Sequence, residues 1–314
     1  MRKDSRIFVA GHRGLVGSAI CRNLSASGFE NVATRSRDYL DLCDQRAVGR
    51  FFEQTRPEFV FLAAAKVGGI LANSNYPADF IAANLLVQVN VIDAAWRYGV
   101  KKLLCLGSSC IYPKYAQQPI REEYLLTGEL EPTNEPYAIA KIAGIKMAQA
   151  YSKQYGFNAI SLMPTNLYGP GDNFDPQSSH VLPALIRKFH EAKVSNAPSV
   201  TLWGSGTPKR EFLHVDDLAS AAVFLMREYN SPEIVNVGCG EDISIHAVAK
   251  LVARVIGYTG EICLDTSKPD GTPRKLLDIT RLKSLGWEPS IGLETGIRQT
   301  YQWYTAQPSK TIAA

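Results

Sequence analysis

Several things are missing from this chain of 314 residues, and each absence closes off a class of protein. No two of its six cysteines (Cys21, Cys43, Cys105, Cys110, Cys239, Cys263) make a Cys-x-x-Cys pair or a zinc spacing, so no disulfide framework and no metal are expected. Lysine and arginine are scattered rather than run together and the net charge is a mild +4, so no nucleic-acid partner is expected. No apolar run approaches the length of a membrane span, which predicts no membrane partner. The charged N-terminus leads straight into a short strand with no signal segment. Repeats and low-complexity linkers are absent too. The expectation is a cytoplasmic protein with free thiols. A hydrophobic content of 46% suits a globular core, and a chain of this length buries roughly 75% of its unfolded surface without staples.

What is present begins at Arg6–Ala10, a short apolar run of the kind that forms a buried parallel strand. It opens directly into Gly11-His12-Arg13-Gly14-Leu15-Val16-Gly17 and then a helical segment to about Ser27. Glycines in this strand-to-helix setting permit a tight turn and close approach of the backbone to a pyrophosphate, which a helix N-terminus attracts. A second strand near Asn31–Thr34 ends in Arg35-Ser36-Arg37, where an acidic residue would signal NAD. Arginine forks suit phosphate, and Arg13 lies on the same side, so NADP(H) is the expected cofactor. A solvated basic turn is the competing reading, and Asp38 and Asp41, with Leu42 beside them, fall in the same cofactor-facing segment.

Strand and helix then alternate: a helix around Gln45–Gln54, a strand at Glu58–Leu62 opening into small residues including Ala64, and a long helix over Asp79–Tyr98. A strand at Lys102–Leu106 runs into Gly107, Ser108, Ser109 and Cys110, and Pro113–Thr133 reads as a loop. A strand at Ala159–Met163 closes on Pro164-Thr165-Asn166-Leu167. Such alternation predicts an α/β fold, a doubly wound parallel sheet of Rossmann type whose ligands bind outside the carboxyl ends of the strands. These strand-end residues are accordingly expected to line the cofactor. Beyond Gly171 loops, proline and aromatics become prominent, apart from a return to the sheet near Ile234–Gly238. The expected division is a cofactor domain over 1–171 plus 212–239 and a smaller, interleaved C-terminal substrate lobe over 172–211 plus 240–314. The residues from about Gln307 are expected to fray.

The stretch that organises the rest is Asn134-Glu135-Pro136-Tyr137-Ala138-Ile139-Ala140-Lys141. Pro136 fits the first turn of a helix, with Asn134 or Glu135 placed to serve its free amides. Tyr137 and Lys141 are then four apart on one face. A neighbouring ammonium favours ionisation of a phenol, whose reference pKa is about 10, and the pair becomes a proton donor and acceptor for an alcohol or carbonyl.

Glycine loop, strand-end serine and Tyr-x-x-x-Lys together resemble the extended short-chain dehydrogenase/reductases over nearly the whole chain. The blocks Leu106–Lys114, Glu131–Lys141 and Met163–Pro170 narrow the resemblance to the branch that converts GDP-4-keto-6-deoxy-D-mannose to GDP-L-fucose with NADPH. It implies 3,5-epimerisation followed by 4-reduction. Cys110 is implied as the base that removes the protons beside the ketone, since a thiol's reference pKa of about 8.5 can be tuned. His180 is implied as the acid that returns them, with a place at the cofactor as well. Tyr137 protonates the reduced oxygen, Lys141 holds the nicotinamide ribose and lowers the Tyr137 pKa, and Ser108 orients the carbonyl. Lys188, Trp203, Arg210 and Asp270 resemble contacts to the GDP-sugar, and the two long helices, Asp79–Tyr98 and Pro136–Tyr155, imply a homodimer. A 4-epimerase or 4,6-dehydratase that recycles NAD is the nearest rival. A non-catalytic NADP-binding regulator is more remote, having no use for Ser108, Tyr137 and Lys141 together.

Overall fold

The structure, a computed structural model, describes residues 1–307 apart from Gln177 and Pro269; for Ile70 and Leu71 the backbone alone is described. Its centre is a six-stranded, wholly parallel sheet. From one edge the order is Val235–Val237, Ala159–Pro164, Lys102–Leu106, Phe59–Leu62, Ile7–Ala10 and Val32–Ala33. The apolar run Ile7–Ala10 is buried at every position, as a strand covered on both faces requires. Helices Leu15–Ala26 and Val215–Glu228 pack together on one face. Helices Gln45–Thr55, Pro77–Arg97 and Glu135–Tyr155 cover the other. The fold is thus doubly wound. The winding reverses between Ile7–Ala10 and Phe59–Leu62, the point at which such sheets open a crevice for ligands.

Local chemistry sets the helix ends. Asp44 accepts the amides of Arg46 and Ala47 to start one helix, and Ser244 accepts that of Ala247 to start another. Both long helices carry proline in the first turn, and Glu135–Tyr155 stops at Gly156, left-handed at φ +65°. Two expectations are corrected, and one stretch without an expected element gains a helix. The second strand shrinks to Val32–Ala33, because the chain leaves the sheet edge where Ser36 turns inward. A short helix, Ile70–Asn75, occupies a stretch that carries no strong periodicity. Helix Pro77–Arg97, 21 residues with an 18-residue window of mean hydropathy 1.3, is long and apolar enough to cross a membrane by length and composition. Half of that window is buried inside the protein, and its small and apolar residues pack on the sheet and on the neighbouring helix.

A second core gathers Phe174, Leu185, Ile186, Phe189, Val200, Val252 and Ile297 beyond the sheet's carboxyl edge. Small ladders frame it. Glu261–Asp265 runs parallel to Ser199–Trp203, and Lys209–Arg210 pairs with Ile243–Ser244 and Arg274–Lys275. One buried carboxylate joins this region to the sheet. Glu211, with no solvent exposure, accepts the backbone N–H groups of Cys239, Gly240 and Leu277 at 2.7, 2.7 and 3.0 Å. A side chain at Gly238 would overlap that carboxylate. Two separate segments thus share one carboxylate.

Glu211→Leu leaves those three N–H groups buried and unpaired, at about 1–3 kcal/mol each before relaxation. A fall in the thermal midpoint of several degrees is expected in scanning calorimetry, larger than for Glu211→Gln, which keeps an acceptor oxygen. Equal midpoints for both variants and the parent would contradict this role.

Candidate active site

Two glycines shape the cofactor end. Gly11 has φ +88°, and a side chain there would collide with the backbone of Ala63 and Ala64. One at Gly17 would collide with the Gly11 carbonyl. The loop is therefore pressed flat against the neighbouring strand end. Helix Leu15–Ala26 begins after Gly14 with no side chain capping its first amides, which leaves them for a ligand. A cradle that a Cβ would fill, below an uncapped helix start, fits a dinucleotide pyrophosphate.

Around it lie the other residues expected to hold the cofactor. His12, Leu15 and Val16 are half-buried and Arg13 is exposed; burial and the Arg13 charge lower the His12 pKa. Arg35 is exposed, donates to the Thr34 carbonyl at 2.7 Å and lies over the Phe51 ring. Arg37, also exposed, stands 3.8 Å from Asp41, and Asp38 faces solvent. Ser36 differs from expectation in being buried, although it sits between the two arginines. Asp41 accepts the Cys43 amide, and Leu42 presents its carbonyl to Asn90. Across the sheet, Ala64 and Gly107 are half-buried, Leu106 and Ser109 buried. Pro164 ends its strand, Thr165 donates its amide to Val237, Asn166 donates to the Glu211 carbonyl, and Leu167 packs on the central core.

The chemical centre forms where strand Lys102–Leu106 ends. Gly107 gives the backbone room beside the Met163 side chain, and the chain enters a tight turn at Ser109–Ile111. Ser108 accepts the Cys110 amide at 3.2 Å, and a hydrogen bond links it to Tyr137. Lys141, 4% exposed, donates to the Leu106 carbonyl at 2.7 Å, with its ammonium 5.8 Å from the Tyr137 ring centroid. Phe80 packs edge-on against Tyr137 at 6.4 Å.

The electrostatics differ from expectation at Tyr137. Burial pushes its phenol pKa up, the Cys110 sulfur pushes the same way, and only the Ser108 hydrogen bond opposes them. Lys141 does not hold it down, because the ammonium is aimed at Leu106. Burial pushes Lys141 itself down to about 8.

Two residues near Cys110 escaped the sequence reading. Asn134 or Glu135 was expected to serve the helix's first amides; Asn134 makes no side-chain cap and instead donates to the Cys110 sulfur at 3.4 Å. Lys275 brings its ammonium to 3.7 Å from the same sulfur, across 165 positions of sequence. No local pattern signals that contact. His180 precedes helix Val181–Val194 at the end of a loop that docks on Gly69 through the Ser178 carbonyl, 3.0 Å away. The residue is exposed overall, yet desolvation by the surrounding protein lowers its pKa. Earlier in the loop Asp172, enclosed by protein, is pushed up to about 7.

The expected sugar-nucleotide contacts fall on the far rim. Lys188 donates to the Thr201 carbonyl at 2.7 Å, and Trp203 is 73% exposed on the same strand. Arg210 donates to the carbonyls of Lys209 and Thr272 at 2.8 and 2.6 Å. Asp270 is occupied: its two oxygens take the Ser205 amide and hydroxyl at 2.9 and 2.7 Å, which braces the turn after Trp203. Lys188, Arg210, Lys141 and Arg35 thus donate to carbonyls, and none has a carboxylate in ion-pair range among the described residues. Their positive charge is not neutralised. No group of three metal-ligating side chains occurs among the described residues.

The model of the NAD dependent epimerase/dehydratase family matches residues 7–238. The chain belongs to this family. Among relatives within the epimerase/dehydratases, the putative GDP-L-fucose synthase 2 of Arabidopsis thaliana is 62% identical, over 97% of this chain and 93% of that one. The GDP-L-fucose synthase of Escherichia coli (strain K12) is 58% identical, over 95% and 96%. The solved GDP-L-fucose synthetase of Naegleria fowleri bound to NADP superposes with a TM-score of 0.89 at 30% identity, covering 97% of this chain and 95% of that one. A GDP-6-OMe-4-keto-L-xylo-heptose reductase from C. jejuni gives 0.92 at 40%, over 98% and 99%.

Gly17→Ala should weaken NADPH binding by ~10²-fold or more, because the methyl pushes the pyrophosphate cradle open; fluorescence titration measures it, and an unchanged Kd would contradict the cradle. The sign at Lys141 is equally testable. Its folded pKa, about 8, lies below the ordinary 10.5, so between these values the unfolded chain binds more protons and stability rises with pH. Lys102 is also pushed down to about 8 by burial and adds a similar rise. Cys105 and Cys239, pushed up by burial to about 12 and about 11, act with the opposite sign over this range. Lys141→Met should therefore make the change in urea midpoint from pH 8 to pH 10 less positive than in the parent.

Proposed function

We propose that this protein carries out the 3,5-epimerisation and NADPH-dependent 4-reduction of GDP-4-keto-6-deoxy-D-mannose, giving GDP-L-fucose. The observation that carries the reading is the convergence of Ser108, Tyr137 and Lys141 with a cysteine sulfur that an amide and an ammonium flank. A reductase alone needs the first three. A base beside the ketone adds the epimerase. Names of relatives at 58–62% identity support the same substrate, and the NADP-bound neighbour supports the cofactor.

In this reading Gly11, Gly14 and Gly17 hold the cofactor's pyrophosphate, and Arg13, Arg35 and Arg37 stand ready for a 2′-phosphate. Bound NADPH supplies the hydride for carbon 4. The uncompensated Lys188 and Arg210 meet the diphosphate of the sugar nucleotide, and exposed Trp203 offers its face to the base. Cys110 takes the protons from carbons 3 and 5, whose acidity comes from the ketone, and His180 returns protons from the opposite side. Tyr137 gives its proton to the carbon-4 oxygen. Its raised pKa keeps the phenol protonated at neutral pH, as a proton donor requires. Ser108 orients that oxygen, and Lys141 holds a ribose hydroxyl.

The cofactor domain over 1–171 plus 212–239 and the substrate lobe over 172–211 plus 240–314 belong to the same proposal. So does a cytoplasmic homodimer without nucleic-acid or membrane partners. Leu86, Val89, Ile139 and Tyr155 remain 42–47% exposed on the two long helices, which supports pairing through that face.

Incubation with the 4-keto sugar nucleotide and NADPH in deuterated buffer tests the chemistry, with NMR reading the product. Tyr137→Phe should lower reduction by ~10²-fold or more while deuterium still enters at carbons 3 and 5. Cys110→Ser should nearly stop that exchange while cofactor binding stays unchanged. GDP-L-fucose formed by Cys110→Ser at the parent rate would overturn the assignment of the base.

A further inference from the structure

The helix that carries Tyr137 and Lys141 lies along helix Pro77–Arg97, and their closest approach is not apolar. A side chain at Gly144 would occupy the space that the Gln88 carboxamide fills. Gln88 is 6% exposed, and its amide donates to the Ala140 carbonyl at 2.8 Å and to the Asn84 carbonyl at 2.9 Å. Ala140 lies in the single turn between Tyr137 and Lys141. Its carbonyl is the one that the Gly144 N–H meets within the helix, so Gln88 uses the second lone pair. One turn earlier on the same face stands Asn84, 1% exposed. Its amide donates to Phe80 and Lys66 at 2.8 and 3.0 Å, and its oxygen accepts the Lys66 N–H at 3.0 Å. The Lys66 segment continues from Ala64, against which the glycine loop is pressed.

A buried polar ladder therefore runs from the cofactor loop through Lys66, Asn84 and Gln88 to the turn that carries the proton donor. Apolar helix contacts resist separation but allow sliding; a hydrogen bond to one chosen carbonyl does not. We propose that Gln88 is a positioning residue that fixes the axial register of Tyr137 and Lys141 relative to the cofactor cradle, and so governs reduction without serving epimerisation. The inference rests on the proposed roles of Tyr137 and Lys141. Cys110 and His180 stand on other segments, which Gln88 does not touch; Asn134, just ahead of the helix, is a link to the Cys110 sulfur, and it lies a full turn and more from Ala140.

The test uses the full-length protein with NADPH and the 4-keto sugar nucleotide, reading NADPH oxidation, deuterium entry at carbons 3 and 5, NADPH affinity and thermal midpoint. Gln88→Leu keeps the bulk and removes the donor. Reduction should fall at least ~10-fold, since small misplacements at reacting atoms have effects of this size or larger, while deuterium entry and NADPH affinity hold within about twofold. Gly144→Ala, whose methyl expels the carboxamide, should give the same split by a second route. Gln88→Glu is the rescue. Burial favours its neutral carboxyl, whose O–H can donate to Ala140, so reduction near the parent rate is expected at pH 6. It should fall away at pH 9 as the carboxyl ionises, a steeper loss than the parent and Gln88→Leu show over the same range, where Lys141 itself titrates. Parent-rate reduction by folded Gln88→Leu would overturn the proposal. So would parallel losses of reduction, deuterium entry and thermal midpoint, which mark a structural role alone. Tyr137→Phe in the same assay separates the two readings: if it still reduces the ketone at the parent rate, the roles assigned to Tyr137 and Lys141 fail, whatever Gln88 does.

Discussion

A buried ammonium needs a partner, and in this chain Lys141 finds it in the carbonyl of Leu106. An unpaired charge at that depth would cost several kcal/mol, so the bond fixes the distance between the Tyr137 helix and the end of the central strand. The other parts of the centre depend on that distance. Leu106 leads through Gly107 into Ser108, which is hydrogen-bonded to Tyr137 on one side and to the Cys110 amide on the other. Strand, turn and helix thus close on themselves through one ammonium. The same bond explains why the phenol is not depressed, since the ammonium points at a carbonyl rather than at the ring oxygen.

A second regularity is that several of the site's cations are held by neutral oxygens, with Arg37, 3.8 Å from Asp41, an exception. Lys188, Arg210 and Arg35 each rest on a backbone carbonyl, which orients the group without cancelling its charge. Elsewhere on the surface arginines and lysines meet carboxylates, as in the pairs Lys101–Glu58 and Arg254–Glu294. Where a phosphate is to be received, a carboxylate would compete with it. The desolvation that lowers the Lys188 and Arg210 pKa values is then offset when an anion arrives.

The alternation of strand and helix, the glycine loop and the Tyr-x-x-x-Lys pair were legible in the sequence because each rests on a period or on a spacing within one or two turns. What was not legible involves partners brought together by the fold. Lys275 reaches Cys110 from the opposite end of the chain. Asn134 leaves unmade the helix cap that its position suggests: its amide donates to the sulfur, and its oxygen accepts no helix N–H. Asp270 reads as a free contact, yet the turn after Trp203 consumes both of its oxygens. Helix Pro77–Arg97 was legible at nearly its full length, as Asp79–Tyr98, but not which of its apolar positions meet the sheet and which the neighbouring helix. In each case side-chain direction, set by packing, decides the partner.

The shared acceptor at Glu211 has a further consequence. Loops ordinarily open independently and exchange their amide protons quickly. The amides of Cys239, Gly240 and Leu277 cannot, because releasing any one disturbs a carboxylate that the other two hold. Segments outside the sheet therefore share its rigidity, and Arg210, next to Glu211 in the chain, is anchored at the same point. The guanidinium proposed to meet the sugar nucleotide is held at the junction of the two cores, so relative movement of one core against the other would be felt there.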